Sequence, residues 1–230
     1  MYLYETHLHT SPVSRCAKAT VRETIEYYKE AGYAGVFMTD HFLPSMIPER
    51  EDEPSYAERI EYYFSAYEEG RKIGEEIGIS VFPGIEMAQG WAHVLVYGVD
   101  KDWCLRHEDM DKMKKSELMT IMREDGALLI QAHPFRMVKT EITLFPNHTH
   151  GVEIYNASRN EFENSLAVQY RDNYGLIPFA GSDNHTAGRR SCFGGMATER
   201  PVKSAEDFVQ MVLSGEAKPF VRDGNGVRFL

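Results

Sequence analysis

Residues 1–10 read MYLYETHLHT, and this stretch sets the first expectations about the fold and the site. It reads as the first buried strand of the chain, and it ends in two histidines, His7 and His9. Because side chains two residues apart on a strand point to the same face, both imidazoles are directed at one place. A pair of hydrogen-bonded structural histidines and two ligands of a metal ion both fit this pattern, so the remaining sequence has to decide.

The composition of the 230 residues is that of an ordinary globular protein, with 43% hydrophobic and 26% charged residues. This length suits one α/β domain, which we place over residues 1–230. The formal net charge of −10 argues against binding of long nucleic acid, because that role requires clustered lysines and arginines. A nucleotide as a small substrate remains compatible with this charge.

The cysteines and the distribution of apolar residues predict the compartment. The three cysteines are odd in number and show no paired spacing, which favours free thiols in a reducing environment. The sequence contains no apolar run near 18 residues, and its first residues do not show a basic segment followed by an apolar one. These features predict a cytoplasmic protein that does not span or bind a membrane.

Strand-like and helix-like segments alternate along the chain. Apolar runs predict strands over 2–10, 33–41, 79–87, 91–100, 127–135, 151–157, 176–185 and 219–230. Amphipathic spacing predicts helices over 20–32, 55–78, 108–125, 161–174 and 204–215. The alternation indicates parallel strands in an α/β fold, and this number of strands favours a closed or nearly closed barrel. An open doubly wound sheet is the alternative, although no predicted strand is followed by a glycine-rich phosphate loop.

Side chains that can bind a metal ion stand at the ends of the predicted strands. They are His7, His9, Asp40, His41, Glu86, His93, His133, Asp183 and His185. In barrels of alternating strands and helices, the carboxyl ends of the strands share one face, where active sites lie. So many ionisable groups beside apolar strands are costly unless they are paired or bound to metal. Imidazoles with carboxylates suit Zn, Mn or Fe, and the number of ligands predicts two or three divalent ions.

A series of short motifs supports this prediction. In chain order they are THLHT (6–10), TDH (39–41), PGIE (83–86), HVLVYG (93–98), AHP (132–134), EIYN (153–156) and GSDNH (181–185). This ordered set, over about residues 4–190, resembles the PHP family, the polymerase and histidinol phosphatase superfamily. The resemblance implies a distorted (β/α)7 TIM-like barrel, a site of two or three metal ions, and phosphoesterase activity.

The resemblance also implies how the ligands are divided among the metal ions. By position, the first ion is assigned His7, His9 and Asp183, the second His93 and His133, and the third His41 and His185, with Glu86 bridging the first two. Asp40, beside His41, is expected to orient ligands from outside the coordination sphere.

One departure from the family pattern concerns the third ion. Family members commonly follow the HxHT motif within a few residues by an Asp or His that serves this ion. Here residues 11–16 read SPVSRC, without either residue type. Ser14 or Cys16 could take that place, Cys16 as a thiolate, or the third site is weak or vacant.

Phosphate recognition requires fixed cations beside the metal ions, and the guanidinium fork matches phosphate oxygens. Four arginines lie shortly after strand ends: Arg136, Arg159, Arg189 and Arg190. We expect Arg159 and Arg190 to line the pocket and, with Asp183 and His185, to form the catalytic set. A metal-bridged hydroxide would attack phosphorus in line, and His185 or a metal-bound water would protonate the leaving alkoxide.

The sequence therefore predicts hydrolysis of a small phosphomonoester, similar to histidinol phosphate or a nucleotide, with inorganic phosphate as a product. A metal-dependent amidohydrolase is one alternative, since many of those enzymes also begin with HxH on a barrel strand. They often bridge their metals with a carboxylated lysine, and no lysine stands at a predicted strand end here. A metal-binding module without turnover is the other alternative. The identity of the ester and the oligomeric state stay open.

Overall fold

The computed structural model describes residues 1–11, 13–42, 54–88, 92–110, 112–137, 141–188 and 191–230. Within these ranges the chain forms twelve strands and six helices. The strands are β1 Tyr2–Glu5, β2 Gly35–Met38, β3 His41–Phe42, β4 Ser80–Pro83, β5 Ile85–Met87, β6 His93–Tyr97, β7 Leu128–Ala132, β8 Gly151–Asn156, β9 Ile177–Gly181, β10 Phe193–Thr198, β11 Lys218–Asp223 and β12 Gly226–Phe229. The helices are α1 Val21–Glu30, α2 Tyr56–Ile77, α3 Lys101–Arg106, α4 Lys115–Glu124, α5 Glu161–Tyr174 and α6 Ala205–Leu213.

The helix boundaries follow local capping signals in the sequence. At the start of α1, the Thr20 side chain accepts a hydrogen bond from the Glu23 amide, and the Glu23 carboxylate accepts one from the Thr20 amide. Ser55 and Glu58 form the same reciprocal pair at the start of α2. Two backbone donors that the helix leaves unpaired are satisfied in each case. Helix α2 ends at Gly78, whose φ of 77° places it in the left-handed region that favours glycine.

The strands form two six-stranded sheets, ordered β12-β11-β10-β1-β2-β4 and β3-β5-β6-β7-β8-β9. Parallel pairs are β1–β2, β2–β4, β3–β5, β7–β8 and β8–β9, and antiparallel pairs are β1–β10, β10–β11, β11–β12, β5–β6 and β6–β7. The α/β class is therefore confirmed, with mixed rather than purely parallel sheets. The predicted (β/α)7 TIM-like barrel is not confirmed, since the described strands form two separate sheets and not a single closed sheet.

The two sheets are joined where strands are interrupted. The Gly84 amide donates to the Met38 carbonyl oxygen at 2.9 Å, and the Glu86 amide donates to the Asp40 carbonyl oxygen at 3.1 Å. The chain thus passes from one sheet to the other between β2 and β3 and again between β4 and β5. On the other side, Leu8 forms an isolated parallel bridge with Asn184. The residues beyond β1 and β9 are held together there, next to the predicted ligands.

Two differences from the predicted elements have local causes. Strand β6 runs antiparallel to β5, because only residues 88–92 connect the two strands and a parallel pair would require a crossover of about a dozen residues or more. Strand β10 is absent from the prediction because its glycine pair weakens the strand signal. A Cβ at Gly194 would overlap the Gly181 carbonyl oxygen, and one at Gly195 would overlap the Tyr4 carbonyl oxygen. Close approach of neighbouring strands therefore requires glycine at both positions.

Aromatic side chains fill the interior between the two sheets. Phe208 of α6 is fully buried, and its ring centroid lies 4.3 Å from that of Phe37 and 5.5 Å from that of Tyr97. Burial of such side chains supplies the main favourable contribution to folding. The longest helix of the described ranges, α2, has 22 residues, and neither it nor any other described helix is sufficiently long and apolar to cross a bilayer.

Candidate metal centre

The structure brings together all eight side chains that the sequence predicts as metal ligands. Their donor atoms form four groups of three, and within each group the atoms lie within 4.8 Å of one another. The groups are His9, His41 and His185; His7, His133 and Asp183; His7, His9 and Glu86; and His41, Glu86 and His93. Because the groups share members, they form one continuous cluster.

Backbone geometry at the strand ends positions part of this cluster. His133 and Asp183 have φ values of 28° and 51°, and they are the non-glycine residues of the described ranges with positive φ. Such conformations are costly for residues with a Cβ atom and persist where the surrounding structure enforces them. Gly181 allows close packing beside them, since a Cβ there would lie 2.5 Å from the His7 Cβ.

Glu86 lies at the centre of the cluster and is fully buried. Its Oε1 lies 2.8 Å from Nδ1 of His93, 3.2 Å from Nε2 of His133 and 3.4 Å from Nε2 of His7. Its Oε2 lies 2.5 Å from Nδ1 of His41 and 3.4 Å from Nε2 of His9. One carboxylate therefore contacts five imidazoles, and it stands where a bridging ligand would be required.

Asp183 provides the second carboxylate of the cluster. Its Oδ1 lies 3.6 Å from Nε2 of His7, 3.4 Å from Nε2 of His9 and 3.4 Å from Nδ1 of His185. Nε2 of His7 and Nε2 of His9 therefore each face both Glu86 and Asp183. The common direction expected from their spacing is realised, although both residues lie beyond the end of β1, on either side of the Leu8 bridge to Asn184.

Several buried atoms of the cluster have no hydrogen-bond partner. They are Nε2 of His7 and Nε2 of His9, whereas Nδ1 of His41 and Oε2 of Glu86 lie 2.5 Å apart as an ion-pair contact without hydrogen-bond geometry. Buried polar atoms left in this way are costly, and nearly all such atoms in proteins are satisfied. A divalent cation among them would accept their lone pairs, and this set of imidazoles and carboxylates suits Zn, Mn or Fe. The residues thus fit the metal ions that the sequence predicts.

Glu153 is a residue that the sequence analysis missed as part of the site. Its Oε1 lies 2.9 Å from Nδ1 of His7, and its Oε2 accepts hydrogen bonds from the His133 amide at 3.0 Å and from Nδ2 of Asn156 at 2.8 Å. Side chains that hold ligating imidazoles in this way fix their orientation and tautomer. The available signal was a charged residue inside the buried strand GVEIYN.

Asp40 holds the turn that follows His9. It accepts hydrogen bonds from the Thr10 amide at 2.6 Å, the Thr10 hydroxyl at 2.7 Å and the Ser14 hydroxyl at 2.6 Å. The Ser14 oxygen in turn lies 3.2 Å from Nδ1 of His9. The orienting contact thus runs from Asp40 through Ser14 to His9, whereas the sequence placed Asp40 beside His41.

Charges in the metal-free cluster shift pKa values in opposite directions. Burial alone would raise the pKa of Glu86, but His93, His41 and His7 hold it well below its usual range. Burial would lower the pKa of His41, but Glu86 and Cys16 raise it to about 10. Burial and the neighbouring His41 together lower the pKa of His9 to about 3. The cluster therefore holds protons where metal ions would bind.

Cys16 lies beside this cluster, in the turn over residues 13–16. Partial burial raises the pKa of its thiol, but hydrogen bonds with His185 and His41 outweigh this effect and lower the pKa to about 6. The residue is exposed to solvent, whereas Cys104 is buried.

Of the two arginines expected to line the pocket, the structure describes Arg159 but not Arg190. Nη2 of Arg159 lies 3.8 Å from Oδ2 of Asp183, and its side chain is 18% exposed. Ser158 fixes the adjacent backbone by donating to the carbonyl oxygens of Ser182 and Asp183. Arg159 therefore lies at the margin of the cluster. Arg189 and Arg190 lie outside the described residues, so the prediction for Arg190 stays a prediction.

No family model and no curated protein matches the chain in sequence. Solved structures do match in fold. A two-domain protein from Bacteroides vulgatus that contains a predicted PHP-like metal-dependent phosphoesterase has a TM-score of 0.68 at 14% identity, covering 95% of this chain and 64% of that protein. A candidate metal-dependent phosphoesterase from Bifidobacterium adolescentis has a TM-score of 0.53 at 13% identity, covering 92% of this chain and 95% of its own.

A third structure carries a different functional name. An amidohydrolase from Chromobacterium violaceum, with bound sulfate and no metal, has a TM-score of 0.55 at 14% identity, covering 80% of this chain and 88% of that one. Two of these structures thus carry the name metal-dependent phosphoesterase, one of them PHP-like, and the resemblance seen in the motifs is confirmed at the level of the fold. The chain spans less than two thirds of the two-domain Bacteroides protein.

Proposed function

We propose that residues 1–230 form one metal-dependent phosphoesterase domain that hydrolyses a small phosphomonoester and releases inorganic phosphate. The observation that carries this proposal is the buried cluster around Glu86, in which Nε2 of His7 and Nε2 of His9 have no hydrogen-bond partner. Cations are the groups that would satisfy these atoms together. The shared fold with PHP-like phosphoesterases supports the same conclusion.

The proposed ligand sets are those that the resemblance implies; the four groups of donor atoms contain the same eight side chains but divide them differently. His7, His9 and Asp183 would hold one ion, His93 and His133 a second, and His41 and His185 a third, with Glu86 shared between the first two. The overlap of the groups at Glu86 supports its role as the bridge. The fully buried Glu153 and Asp40 networks would hold the imidazoles in place when ions bind.

Bound divalent ions would neutralise charge on phosphate oxygens and lower the pKa of a coordinated water. The chain itself supplies the fixed charge that orients the ester. The Arg159 guanidinium, at the cluster margin, would donate to the non-bridging phosphate oxygens, and its fork matches their geometry. We assign Arg190 the same role. Because the Arg159 guanidinium is positioned before the substrate arrives, it would stabilise developing charge without reorganisation.

His185 lies at the more exposed margin of the cluster, with 28% of its side chain exposed. Burial lowers its pKa, but contacts with Cys16 and Asp183 raise it overall. An imidazolium at this position would donate its proton to the leaving alkoxide. A neutral imidazole would instead act as a ligand.

An amidohydrolase is the second candidate, favoured by the structural likeness to the Chromobacterium enzyme of that name. In this chain, Glu86 already supplies a carboxylate at the centre of the cluster, so a carboxylated lysine is not required there. The substrate class therefore distinguishes the two candidates better than the ligand set does.

The test begins with metal content by elemental analysis of protein purified without chelators or affinity metal. About two or three equivalents per chain, followed by phosphate release from small phosphomonoesters, would support the proposal. A parallel panel of amides and lactones addresses the second candidate. Metal well below one equivalent after reconstitution would contradict both hydrolases, and full loading without turnover on either panel would indicate a metal-binding module.

A further inference from the structure

Three imidazoles converge at the outer side of the cluster. The ring centroid of His9 lies 4.2 Å from those of both His41 and His185, and donor atoms of the three rings lie within 4.8 Å of one another. Nε2 of the fully buried His9 has no hydrogen-bond partner. Since His9 is assigned to the first ion, His41 and His185 alone supply fewer ligands than a tetrahedral ion takes, so a further protein ligand has a place here.

Ser14 is not available as that ligand. Its hydroxyl donates to Asp40 at 2.6 Å and accepts a hydrogen bond from the His41 amide at 2.9 Å. The same oxygen lies 3.2 Å from Nδ1 of His9. A hydroxyl has one donor and two acceptor positions, and all three are used. Ser14 therefore holds His9 and the His41 backbone in place and is not expected to bind the cation.

Cys16 is held against the two outer imidazoles. Its side chain is in hydrogen-bond contact with both His185 and His41. The turn that carries it is fixed on both sides, since the Ala17 amide donates to the Ser14 carbonyl oxygen and the Lys18 amide donates to the His185 carbonyl oxygen. The sulfur thus occupies a defined position beside two ligand candidates and remains accessible from solvent.

We propose that Cys16 is a thiolate ligand of a third cation, which it binds together with His41 and His185. This inference rests on the proposed multinuclear site. On binding, the thiol proton passes to solvent and the sulfur donates a lone pair to the cation, so no electron is transferred. A soft sulfur ligand favours Zn over Mn or Mg at this position, in contrast to the oxygen-rich centre around Glu86.

The test uses Co²⁺ as a probe of the intact protein, because a thiolate bound to Co²⁺ gives a charge-transfer absorption in the near ultraviolet. We expect this band to develop with the last equivalent of Co²⁺ added to the metal-free wild type. Cys16→Ala should lose the band and bind about one equivalent fewer, or bind the last ion at least about tenfold more weakly.

Two further variants separate ligation from a structural role. Cys16→Asp offers a carboxylate in place of the thiolate, so it should bind the full number of ions without the charge-transfer band and should prefer Zn over Mn less strongly. Cys192→Ser is the matched control, since Cys192 contacts Tyr155, and it should keep both the band and the stoichiometry.

The outcomes for this inference and for the proposed function are distinct. A wild type that binds Co²⁺ and hydrolyses phosphomonoesters without the band would overturn the role of Cys16 and leave the phosphoesterase standing. A band that persists in Cys16→Ala would have the same meaning. A wild type that binds no Co²⁺ at all would overturn both.

Discussion

Oε1 of Glu153 accepts a hydrogen bond from Nδ1 of His7 at 2.9 Å, and this contact determines which nitrogen of His7 faces the cluster. With the proton on Nδ1, the lone pair of Nε2 is directed towards Glu86 and Asp183, at 3.4 and 3.6 Å. Ligating histidines are oriented in this way in many metal sites. We therefore expect Glu153 to act as a positioning residue for the first predicted ion.

Replacement of Glu153 by glutamine tests this role. Glu153→Gln keeps the shape of the side chain but removes the charge that favours the required His7 tautomer, so metal affinity should fall by about 10–100-fold. Titration of Zn²⁺ against a chromophoric chelator measures the change. Glu163→Gln is the matched control, because Glu163 is a buried carboxylate that caps α5 and glutamine is also accepted at that helix position. Equal affinities in wild type and Glu153→Gln would disprove the role.

Asp183 is a predicted ligand and also has a positive φ. A substitution that tests its role as a ligand must therefore tolerate the same backbone conformation. Its φ of 51° is tolerated best by asparagine among the residues with a Cβ atom. Asp183→Asn should therefore preserve the fold and reduce phosphate release by at least about 100-fold, the upper end of the loss seen for residues that only support a ligand. His9→Ala should give a loss of similar size.

Steady-state assays with saturating metal measure this loss, and circular dichroism of the metal-free variants checks the fold. Asp183→Ala provides a comparison, since the αL backbone adds strain of about 1 kcal/mol for alanine. Activity close to that of the wild type in Asp183→Asn would remove Asp183 from the proposed site.

The sequence predicted that side chains such as His7 and His9 lie together, because alternate residues of an extended segment share a face; their role as ligands stays a prediction. His7 and His9 share a face, and the same two nitrogens contact Glu86 and Asp183 as a consequence. Capping signals such as Thr20 with Glu23 predicted helix starts for a similar reason, since they are local.

The features that the sequence did not predict depend on tertiary contacts. The role of Glu153 requires β8 to lie beside His7, which is 146 residues from Glu153 in the chain. Strand β10 contains glycine at 194 and 195 because the neighbouring backbones leave no room for a Cβ atom there. In the sequence alone, the same two glycines argue against a strand. The two separate sheets arise from interruptions near Asp40 and Gly84, and no periodicity in the sequence marks them.

Arg159 is expected to act on the substrate rather than on the metal ions. Arg159→Ala should lower kcat/KM for a phosphomonoester by about 10²–10³-fold, the range for removal of one preorganised donor. The metal content should not change, because the guanidinium is 3.8 Å from Asp183 and cannot itself be a ligand. Arg159→Lys should recover only part of the activity, since it lacks the planar fork.

Inhibition by inorganic phosphate provides the second measurement for Arg159, and it should weaken in parallel with kcat/KM. Arg22→Ala is the control, because Arg22 is an exposed residue of α1 that pairs with Glu26 and Glu76. If Arg159→Ala bound phosphate and turned over substrate like this control, the guanidinium would lie outside the substrate pocket.

Metal binding should also depend on pH through His41. Without metal, Glu86 and Cys16 raise the pKa of His41 to about 10 against the effect of burial, so the imidazolium stabilises the metal-free fold. That stabilisation is complete below about pH 6.5, which is the pKa of a histidine in the unfolded chain. It is lost as the pH rises through about 10, the pKa of His41 in the folded protein. A metal ion competes with this proton, so metal affinity should increase between these pH values.

Calorimetric titration of Zn²⁺ at pH 7 in buffers of different ionisation enthalpy measures the protons released. His41 should contribute about one proton, whereas His9, with a pKa of about 3, should contribute none. His41→Gln should accordingly release about one proton fewer than the wild type when compared at equal metal occupancy. A proton count that is the same in both proteins, or an affinity independent of pH from 6.5 to 9, would mean that the His41 proton is not displaced by metal.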